Sequence, residues 1–472
     1  MHNLILLLIP IIGIIFILSF SNKYSKYIAL STSFVQTTHI IYILFYYRSL
    51  HKYFLEFKII ENINCMIGID NISLKMLTMT IVSFFLIVLS TFQYKENNKL
   101  IYLCALISIF GVIGVLISFD TILFYVFWEI SLIPIYISAF YTNNFFKIRK
   151  NVEKFLFYSI SSGFIIITAI IYVYSKSGQH NFSFIEYNNV LLNINEKILL
   201  FFVLIIGFGI KIPILILHEW QRKIYYYAPN IISLILSTIL SKMGIYGLIR
   251  FIIPLYNNID NTSIKIFLFI YLIFSIIYSS IFALNQKNIK YMSAYSSIAY
   301  NSLILICLFI GGFSSVNSII LQMINHSIII IGIFTIYNII YLNHKVTNIG
   351  EYNGIINKYP ILGIYIIVLM LNNIGFPLTG SFISEIMIFN IIFKYNIMIG
   401  ILCSFIIIFS AIYMNNIYLS MLGHNSNYEE NHNIANIKSN ELLVIILSII
   451  IIFLMGLFSD IFVKCYQDCF FT

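Results

Sequence analysis

Long apolar runs, separated by short polar segments, follow one another along almost the whole chain. A membrane-spanning helix needs about 20 mainly apolar residues, and about 14 windows of this kind can be placed. They cover residues 4–20, 27–47, 76–93, 100–118, 121–141, 152–174, 198–217, 229–252, 263–283, 296–312, 315–341, 360–393, 396–418 and 442–463. The pattern therefore predicts an all-α polytopic membrane protein.

The composition agrees with this prediction and leaves hardly any sequence for a soluble domain. Of the 472 residues, 60% are hydrophobic and 10% charged, with a mean hydropathy of +0.94. An ordinary soluble protein has about a quarter charged residues. The net charge of +9 does not indicate nucleic-acid binding, because no basic stripe lies on a polar domain. Lys and Arg are more frequent in the loops of one predicted side, which places both termini on the opposite side.

Proline stands in the apolar interior of the seventh and twelfth predicted spans, at Pro213 and Pro377. Because proline removes a backbone donor and clashes with the preceding turn, both helices are predicted to be broken. Broken helices in corresponding halves are typical of transporters, although a kink that only shapes packing is the alternative. Five spans separate the two helices, which predicts a five-helix unit used twice. The predicted regions are 1–98, with three spans, two repeats at 99–255 and 256–420, and 421–472, with a loop and the last span.

Five ionisable residues have apolar neighbours on both sides within the predicted spans: Glu129, Lys211, Lys242, His326 and Glu385. A charge at mid-bilayer costs roughly 2.5–3.5 kcal/mol on insertion scales, so such residues usually face the bundle interior and pair. Glu129 and Lys211 are able to form an ion pair if spans 5 and 7 adjoin. This pattern favours a proton relay, because a desolvated lysine releases its proton more readily and histidine titrates near neutrality.

Each of these residues also has a simpler interpretation. Glu129 and Lys211 would fix packing if they formed a static pair. Lys242 would reach a membrane interface if its flexible stem extended along the helix. His326 would be an ordinary hydrogen-bonded side chain. No metal-ligand spacing, nucleophile triad, phosphate-binding glycine loop or pair of haem histidines appears, so the chain is predicted to move a substrate rather than transform it.

A set of motifs resembles a known family over nearly the whole chain. The first half carries Gly68-Ile-Asp70-Asn-Ile-Ser73, Phe127-Trp-Glu129-Ile-Ser-Leu-Ile-Pro134, Lys154-Phe-Leu-Phe-Tyr158, Lys211-Ile-Pro213, His218-Glu-Trp220, Ala228-Pro229 and Lys242-Met-Gly-Ile-Tyr-Gly247. The second half carries Lys290-Tyr-Met-Ser-Ala-Tyr-Ser-Ser297, His326, His344-Lys345 and Gly380-Ser-Phe-Ile-Ser-Glu385. Together they resemble the antiporter-like membrane subunits of the proton-pumping NADH:ubiquinone oxidoreductase, respiratory complex I, which are related to multi-subunit cation/proton antiporters.

The resemblance implies 14 helices with two inverted five-helix repeats. It implies that Glu129 and Lys211 act as a coupled pair, Lys242 as a central relay, and His326 and Glu385 as the later half of the proton route. Quinone reduction elsewhere in the complex would drive the protonation changes. FMN, iron–sulfur clusters and ubiquinone would belong to the complex as a whole and none to this chain. The implied partners are the other membrane-arm subunits, including neighbouring antiporter-like subunits, and lipids such as cardiolipin.

Two departures from the family pattern stand out. Tyr300 replaces the usual histidine after the Tyr-Ser-Ser motif, and Gln221-Arg222 replaces Leu-Pro after the His-x-Trp motif. The abundance of Ile, Asn, Tyr and Phe suits an AT-rich organellar genome, which favours the mitochondrial inner membrane. Two rival functions stay open: a cation/proton antiporter subunit, and a structural membrane subunit with static buried ion pairs. An enzyme acting on quinone itself is disfavoured, since no span combines a polar pocket with a redox centre.

Overall fold

The computed structural model describes residues 2–46, 53–60, 63–94, 98–141, 145–177, 182–256, 262–423 and 437–459. The helices of the N-terminal half are α1 (His2–Ser19), α2 (Asn22–Tyr46), α3 (Asn71–Thr91), α4 (Lys99–Ile117), α5 (Thr121–Phe140), α6 (Phe145–Ser177), α7 (Phe184–Asn189), α8 (Ile194–Lys211), α9 (Glu219–Tyr227), α10 (Asn230–Ile235), α11 (Ser241–Gly247) and α12 (Ile253–Tyr256). The C-terminal half contains α13 (Thr262–Leu284), α14 (Ile289–Gly311), α15 (Val316–His344), α16 (Ile355–Lys358), α17 (Pro360–Ile374), α18 (Gly380–Tyr395), α19 (Ile397–Leu422) and α20 (Ser439–Leu457).

Ten helical stretches within the described residues are long and apolar enough to cross a membrane. Two shorter apolar helices, Asn3–Ser19 and Pro360–Ile374, accompany them. The predicted class, a helical polytopic membrane protein, is therefore confirmed. The count of 14 spans, the four regions and the inverted repeats stay predictions. Of the last predicted region, 421–472, only 421–423 and 437–459 lie within the described residues.

A β-hairpin corrects the strict all-α prediction. Strands β1 (Tyr53–Ile60) and β2 (Ile63–Ile69) pair antiparallel, with Tyr53 opposite Ile69. The backbone N–H of Phe119 donates to the carbonyl of Met66 at 2.9 Å, which joins the hairpin to the segment between α4 and α5. The search for spans missed the hairpin because each strand is only seven or eight residues long, well below the length of a membrane helix.

Two helix boundaries also differ from the predicted windows for local reasons. Helix α3 begins at Asn71 rather than near 76, because Asp70 caps its first turn: the Ser73 N–H donates to Asp70 Oδ1 at 2.8 Å. Helix α6 extends from Phe145 to Ser177, since its polar first turns continue the helix beyond the apolar window. A hydropathy window detects only the apolar part of a helix.

The described chain separates into two compact units. The first contains the described residues of Met1–Val88 and Lys95–Thr262, and the second those of Leu89–Tyr94 and Ser263–Cys465. An aromatic cluster fills part of the first unit, with the ring centres of Phe124 and Phe251 5.0 Å apart. In the second unit, α14, α15 and α17 pack around a buried core of Ile, Leu and Tyr side chains.

Each unit contains a non-helical segment with one of the two prolines. In the first unit, α8 ends at Lys211 and α9 begins at Glu219, with Pro213 between them. In the second, α17 ends at Ile374 and α18 begins at Gly380, with Pro377 between them. Within the helical stretch that carries Lys242, α11 is flanked by π-helical turns at Leu236–Leu240 and Leu248–Ile252. Such turns often mark functional sites.

Candidate functional site

Glu129 lies on α5 with its carboxylate directly against α6. Its side chain is half-buried, and Oε1 is buried without a hydrogen-bond partner. A Cβ atom placed on Gly163 of α6 would overlap with this oxygen. Only glycine at position 163 therefore leaves room for the carboxylate in its present position.

Lys211, the last residue of α8, is 5% exposed. Its Nζ lies 3.6 Å from the centre of the Trp128 ring and makes no hydrogen bond. The ion pair considered between Lys211 and Glu129 is not formed within the described chain. Successive helix residues point about 100° apart, so Trp128 faces Lys211 while Glu129 turns toward α6.

A small enclosed cavity joins Lys211 to the helix that carries the second lysine. Ser159 and Ser162 of α6 line it together with Lys211 and Ser241. Its space for water-sized molecules is about 10 Å³, which is room for about one water. Ser241 immediately precedes Lys242, which is fully buried on α11.

The tryptophan of the His-x-Trp motif supports the end of α8. Trp220 Nε1 donates to the carbonyl of Ile210 at 3.1 Å, and its ring centre lies 5.1 Å from that of Phe155. Because the helix ends at Lys211, this carbonyl would otherwise lack a partner from the following turn. Trp220 thus fixes the backbone of α8 at the residue before Lys211.

A buried ion pair in the first unit was missed by the sequence analysis. Arg250 Nη2 lies 2.6 Å from Asp70 Oδ1, and Arg250 Nε donates to the Tyr246 hydroxyl at 3.0 Å. That hydroxyl donates to the carbonyl of Leu116 at 3.2 Å. A signal was present, because Asp70 and Ser73 have the spacing of a helix cap. Arg250 showed no such signal in the sequence. It stands near the end of a predicted span, where a positively charged loop residue is ordinary.

The second unit surrounds Glu385 with neutral hydrogen-bonding groups. Glu385 is 5% exposed on α18, and its Oε1 is buried without a hydrogen-bond partner. Ser384 donates to Gln322 Oε1 at 2.6 Å, and Asn325 Nδ2 donates to the Ser384 hydroxyl at 3.3 Å. A Cβ on Gly375, which has φ +72°, would lie 2.5 Å from Glu385 Oε2.

His326 lies beside the tyrosine that replaces the family histidine. The ring centres of His326 and Tyr300 are 4.9 Å apart. The Tyr300 hydroxyl donates to the carbonyl of Asn373 at 3.0 Å, in the last turn of α17, and Asn373 Nδ2 donates to the Tyr413 hydroxyl at 3.2 Å. Tyr300 is therefore hydrogen-bonded to the last turn of α17.

The two units thus bring together separate subsets of the predicted residues. Glu129, Lys211 and Lys242 share the first unit, and His326 and Glu385 share the second. Over the ranges that the structure describes, no group of three or more His, Cys, Asp and Glu side chains is arranged to hold a metal ion. The arrangement provides titratable groups and polar neighbours inside an apolar bundle.

The chain matches a protein-family model and resembles several known proteins over nearly their whole length. The family described as "NADH:quinone oxidoreductase/Mrp antiporter, TM" matches residues 118–412. NADH-quinone oxidoreductase subunit M of Rickettsia prowazekii is 31% identical, over 97% of this chain and 95% of its own. NADH-ubiquinone oxidoreductase chain 4 of Marchantia polymorpha is 26% identical, over 98% and 94% of the two chains.

Two solved structures share the fold. A chain of respiratory complex I from Thermus thermophilus, solved with bound NADH, superposes with a TM-score of 0.86 at 19% identity, covering 98% of this chain and 96% of that one. A chain of an archaeal membrane-bound sulfane sulfur reductase gives a TM-score of 0.87 at 20% identity, covering 98% and 95%. The same fold therefore occurs in respiratory membrane complexes with different redox partners.

Proposed function

Because this chain belongs to the NADH:quinone oxidoreductase/Mrp antiporter membrane family, we propose that it is the proton-translocating, antiporter-like subunit of a respiratory complex I. The resemblance inferred from the motifs is confirmed by the family match. The proposal extends it to a mechanism in which protons move through Glu129, Lys211 and Lys242 in one unit and His326 and Glu385 in the other.

One observation carries the proposal most strongly. Lys211 is enclosed in the bundle with its ammonium on an aromatic ring and no carboxylate bound to it. A cation that served only as a strut would be expected to hold a hydrogen-bonded anion, because an isolated buried charge is costly. An ammonium facing a cavity of water size is instead suited to exchanging a proton.

The charge on Glu129 provides a way to control that exchange. A carboxylate near Lys211 stabilises the ammonium form, since opposite charges favour each other's ionised state. Proton uptake by Glu129 removes this stabilisation and favours release of the proton from Lys211 toward the cavity beside Ser241. Lys242 follows directly on the same helix and is the next acceptor in this scheme.

The second unit would carry the proton by a different chemistry. Ser384, next to Glu385, donates to Gln322 Oε1, and the rings of His326 and Tyr300 lie 4.9 Å apart in a tilted arrangement. These neutral groups orient a proton without adding a competing charge. In this scheme His326 receives the proton, and Glu385 is the terminal group of the route.

The finer assignments are part of the same proposal. The chain would act within an H⁺-translocating NADH:ubiquinone reductase whose FMN, iron–sulfur clusters and ubiquinone belong to other subunits. Its partners would be neighbouring membrane-arm subunits and anionic lipids such as cardiolipin. We place it in the mitochondrial inner membrane, which is supported by the composition and by relatives named chain 4.

The substitution Glu129→Gln tests the relay, because it keeps the shape of the side chain and removes its charge. Proton pumping and electron transfer are measured together in membranes, and assembly is followed on a native gel. We expect the complex to assemble while both activities fall by about 100-fold. The matched control is Glu153→Gln, since Glu153 lies exposed on α6 in a pair with Arg149.

Two results would contradict the relay. If both activities persist at the wild-type ratio in Glu129→Gln, the carboxylate is a packing element. If Glu153→Gln loses as much activity as Glu129→Gln, the loss reflects a general effect of removing charge rather than a defined route.

A second candidate function is cation/proton antiport, which the family description itself includes. The same buried residues would then exchange protons for sodium or potassium. Sodium-dependent proton movement by the chain in vesicles, without electron transfer, would favour this function. Proton movement that requires electron transfer and is independent of sodium favours the complex I subunit.

A further inference from the structure

An apolar groove of about 720 Å³ runs along the first unit between α4 and α5. Its walls are mainly aliphatic and include Ile107, Ile133 and Ile137, whereas Asn22, Asn98 and Lys99 form a polar end. Ile133 is 57% exposed and faces outward. The groove lies on membrane-spanning helices and is separate from the cavity beside Lys211.

The length of the groove matches one leaflet of a bilayer. It extends along α4 from Lys99 to Ile107, which is about 12 Å at the rise of an α-helix. The hydrocarbon core is about 30 Å thick, so one leaflet contributes about 15 Å. The polar residues therefore stand at the membrane surface when the apolar part lies in the leaflet.

The polar end carries fixed positive charge. Lys99 Nζ donates to the carbonyls of Leu18 and Phe20, both at 2.9 Å, which holds the ammonium at the mouth of the groove. The exposed Lys23 stands one residue after Asn22. Because Lys and Arg are enriched in the loops of this side, the mouth is complementary to an anionic headgroup.

We propose that this groove binds an anionic phospholipid, with one acyl chain along α4 and α5 and the phosphate at Asn22, Asn98 and Lys99. The site depends on the membrane position of the chain and not on the proposed proton route. The aliphatic walls accept an acyl chain, and the ammonium of Lys99 at the mouth is complementary to a phosphate.

The test measures the lipid retained by the assembled complex. The complex is purified in detergent and washed, and the bound phospholipids are quantified by class with mass spectrometry. Ile133→Trp fills the groove, and Lys99→Gln removes the charge while keeping a side chain that donates hydrogen bonds. Ile133→Trp is expected to remove one anionic phospholipid per complex. Lys99→Gln is expected to lower anionic-lipid retention several-fold and to leave zwitterionic lipid unchanged or increased.

Two control variants match these substitutions away from the groove. Ile171→Trp alters a similarly exposed isoleucine of α6, and Lys150→Gln removes an exposed lysine. Both are expected to retain the wild-type lipid content. Unchanged anionic lipid in Ile133→Trp would overturn the proposal. Loss of a neighbouring subunit from Ile133→Trp, with the lipid retained, would also overturn it, because a protein would then be the occupant.

Discussion

Glu129 and Glu385 each lie against a glycine but have different surroundings. Glu129 is half-buried beside Gly163. The ring of the preceding residue, Trp128, contacts the Lys211 ammonium. Glu385 is almost fully enclosed and follows Ser384, whose hydroxyl donates to Gln322 Oε1. The first site thus holds two oppositely charged groups that make no hydrogen bond to each other, and the second holds one carboxylate beside uncharged polar side chains.

This difference indicates how each site is controlled. At the first site, a change of position alters an electrostatic interaction between charged groups, which acts over several ångströms. At the second site, each hydrogen bond depends on short contacts and contributes about 1 kcal/mol. The interaction between charges is the larger of the two, so forcing a charged group out of its place should harm the first site most, and single deletions should have modest effects at the second.

The largest effect is expected from Gly163→Ala. The new Cβ overlaps with Glu129 Oε1 and forces the carboxylate away from its position. Displacing a reacting group by about 1 Å can cost about 100-fold in rate, so we expect proton pumping and electron transfer to fall by that order. Gly350→Ala is the control, since a Cβ there meets no atom within 4 Å. Wild-type activity in assembled Gly163→Ala would show that the position of Glu129 is unimportant.

The second-largest effect is expected at Trp128, whose ring contacts the Lys211 ammonium. Trp128→Leu removes the π-face that contacts Lys211, an interaction worth about 2 kcal/mol when desolvated. We expect about tenfold lower pumping per assembled complex. Trp128→Phe keeps an aromatic face and should restore most of the activity. Equal losses in both variants would mean that the volume of the tryptophan, and not its ring charge distribution, supports the site.

At the second site, Gly375→Ala combines two effects. Alanine is strained at φ +72°, and its Cβ would stand 2.5 Å from Glu385 Oε2. Gly354→Ala separates the backbone strain from the clash with Glu385. Gly354 has the same φ, but a Cβ added there would come no closer than 3.5 Å to another atom, a backbone oxygen. We expect about fivefold lower pumping for Gly375→Ala and near wild-type pumping for Gly354→Ala. Equal losses would attribute the effect to backbone strain alone.

Much of the fold and the identity of the charged residues follow from the sequence. Apolar runs predict the membrane helices because the bilayer requires about 20 apolar residues for each span. Buried ionisable residues are conspicuous for the same reason, as Lys211 and Glu385 show. Pro213 and Pro377 likewise stand in segments where helices end, since proline removes a backbone donor and clashes with the preceding turn, although Pro134 is accommodated inside α5.

The surroundings of these residues were not predictable from spacing. The contact of Lys211 with Trp128 depends on the rotation of α5 against α8, which no sequence interval specifies. Asp70 and Arg250 are 180 residues apart, so their ion pair exists only in the folded chain. Glycines such as Gly163 show their role only when a neighbouring side chain is seen against them. The β-hairpin was missed because hydropathy windows do not detect short strands.

The smallest effect is expected from Tyr300→Phe, which removes one hydroxyl from the second unit. The Tyr300 hydroxyl donates to the carbonyl of Asn373, but Ser410 also donates to this carbonyl at 3.4 Å. Because the carbonyl keeps a partner, the loss should be about 1 kcal/mol or less, and pumping should fall no more than about threefold. Tyr300→His introduces the usual family residue and tests whether a titrating ring improves the route. A tenfold loss in Tyr300→Phe, with His326 unchanged, would instead make this hydroxyl part of the proton route and remove the contrast between the two sites.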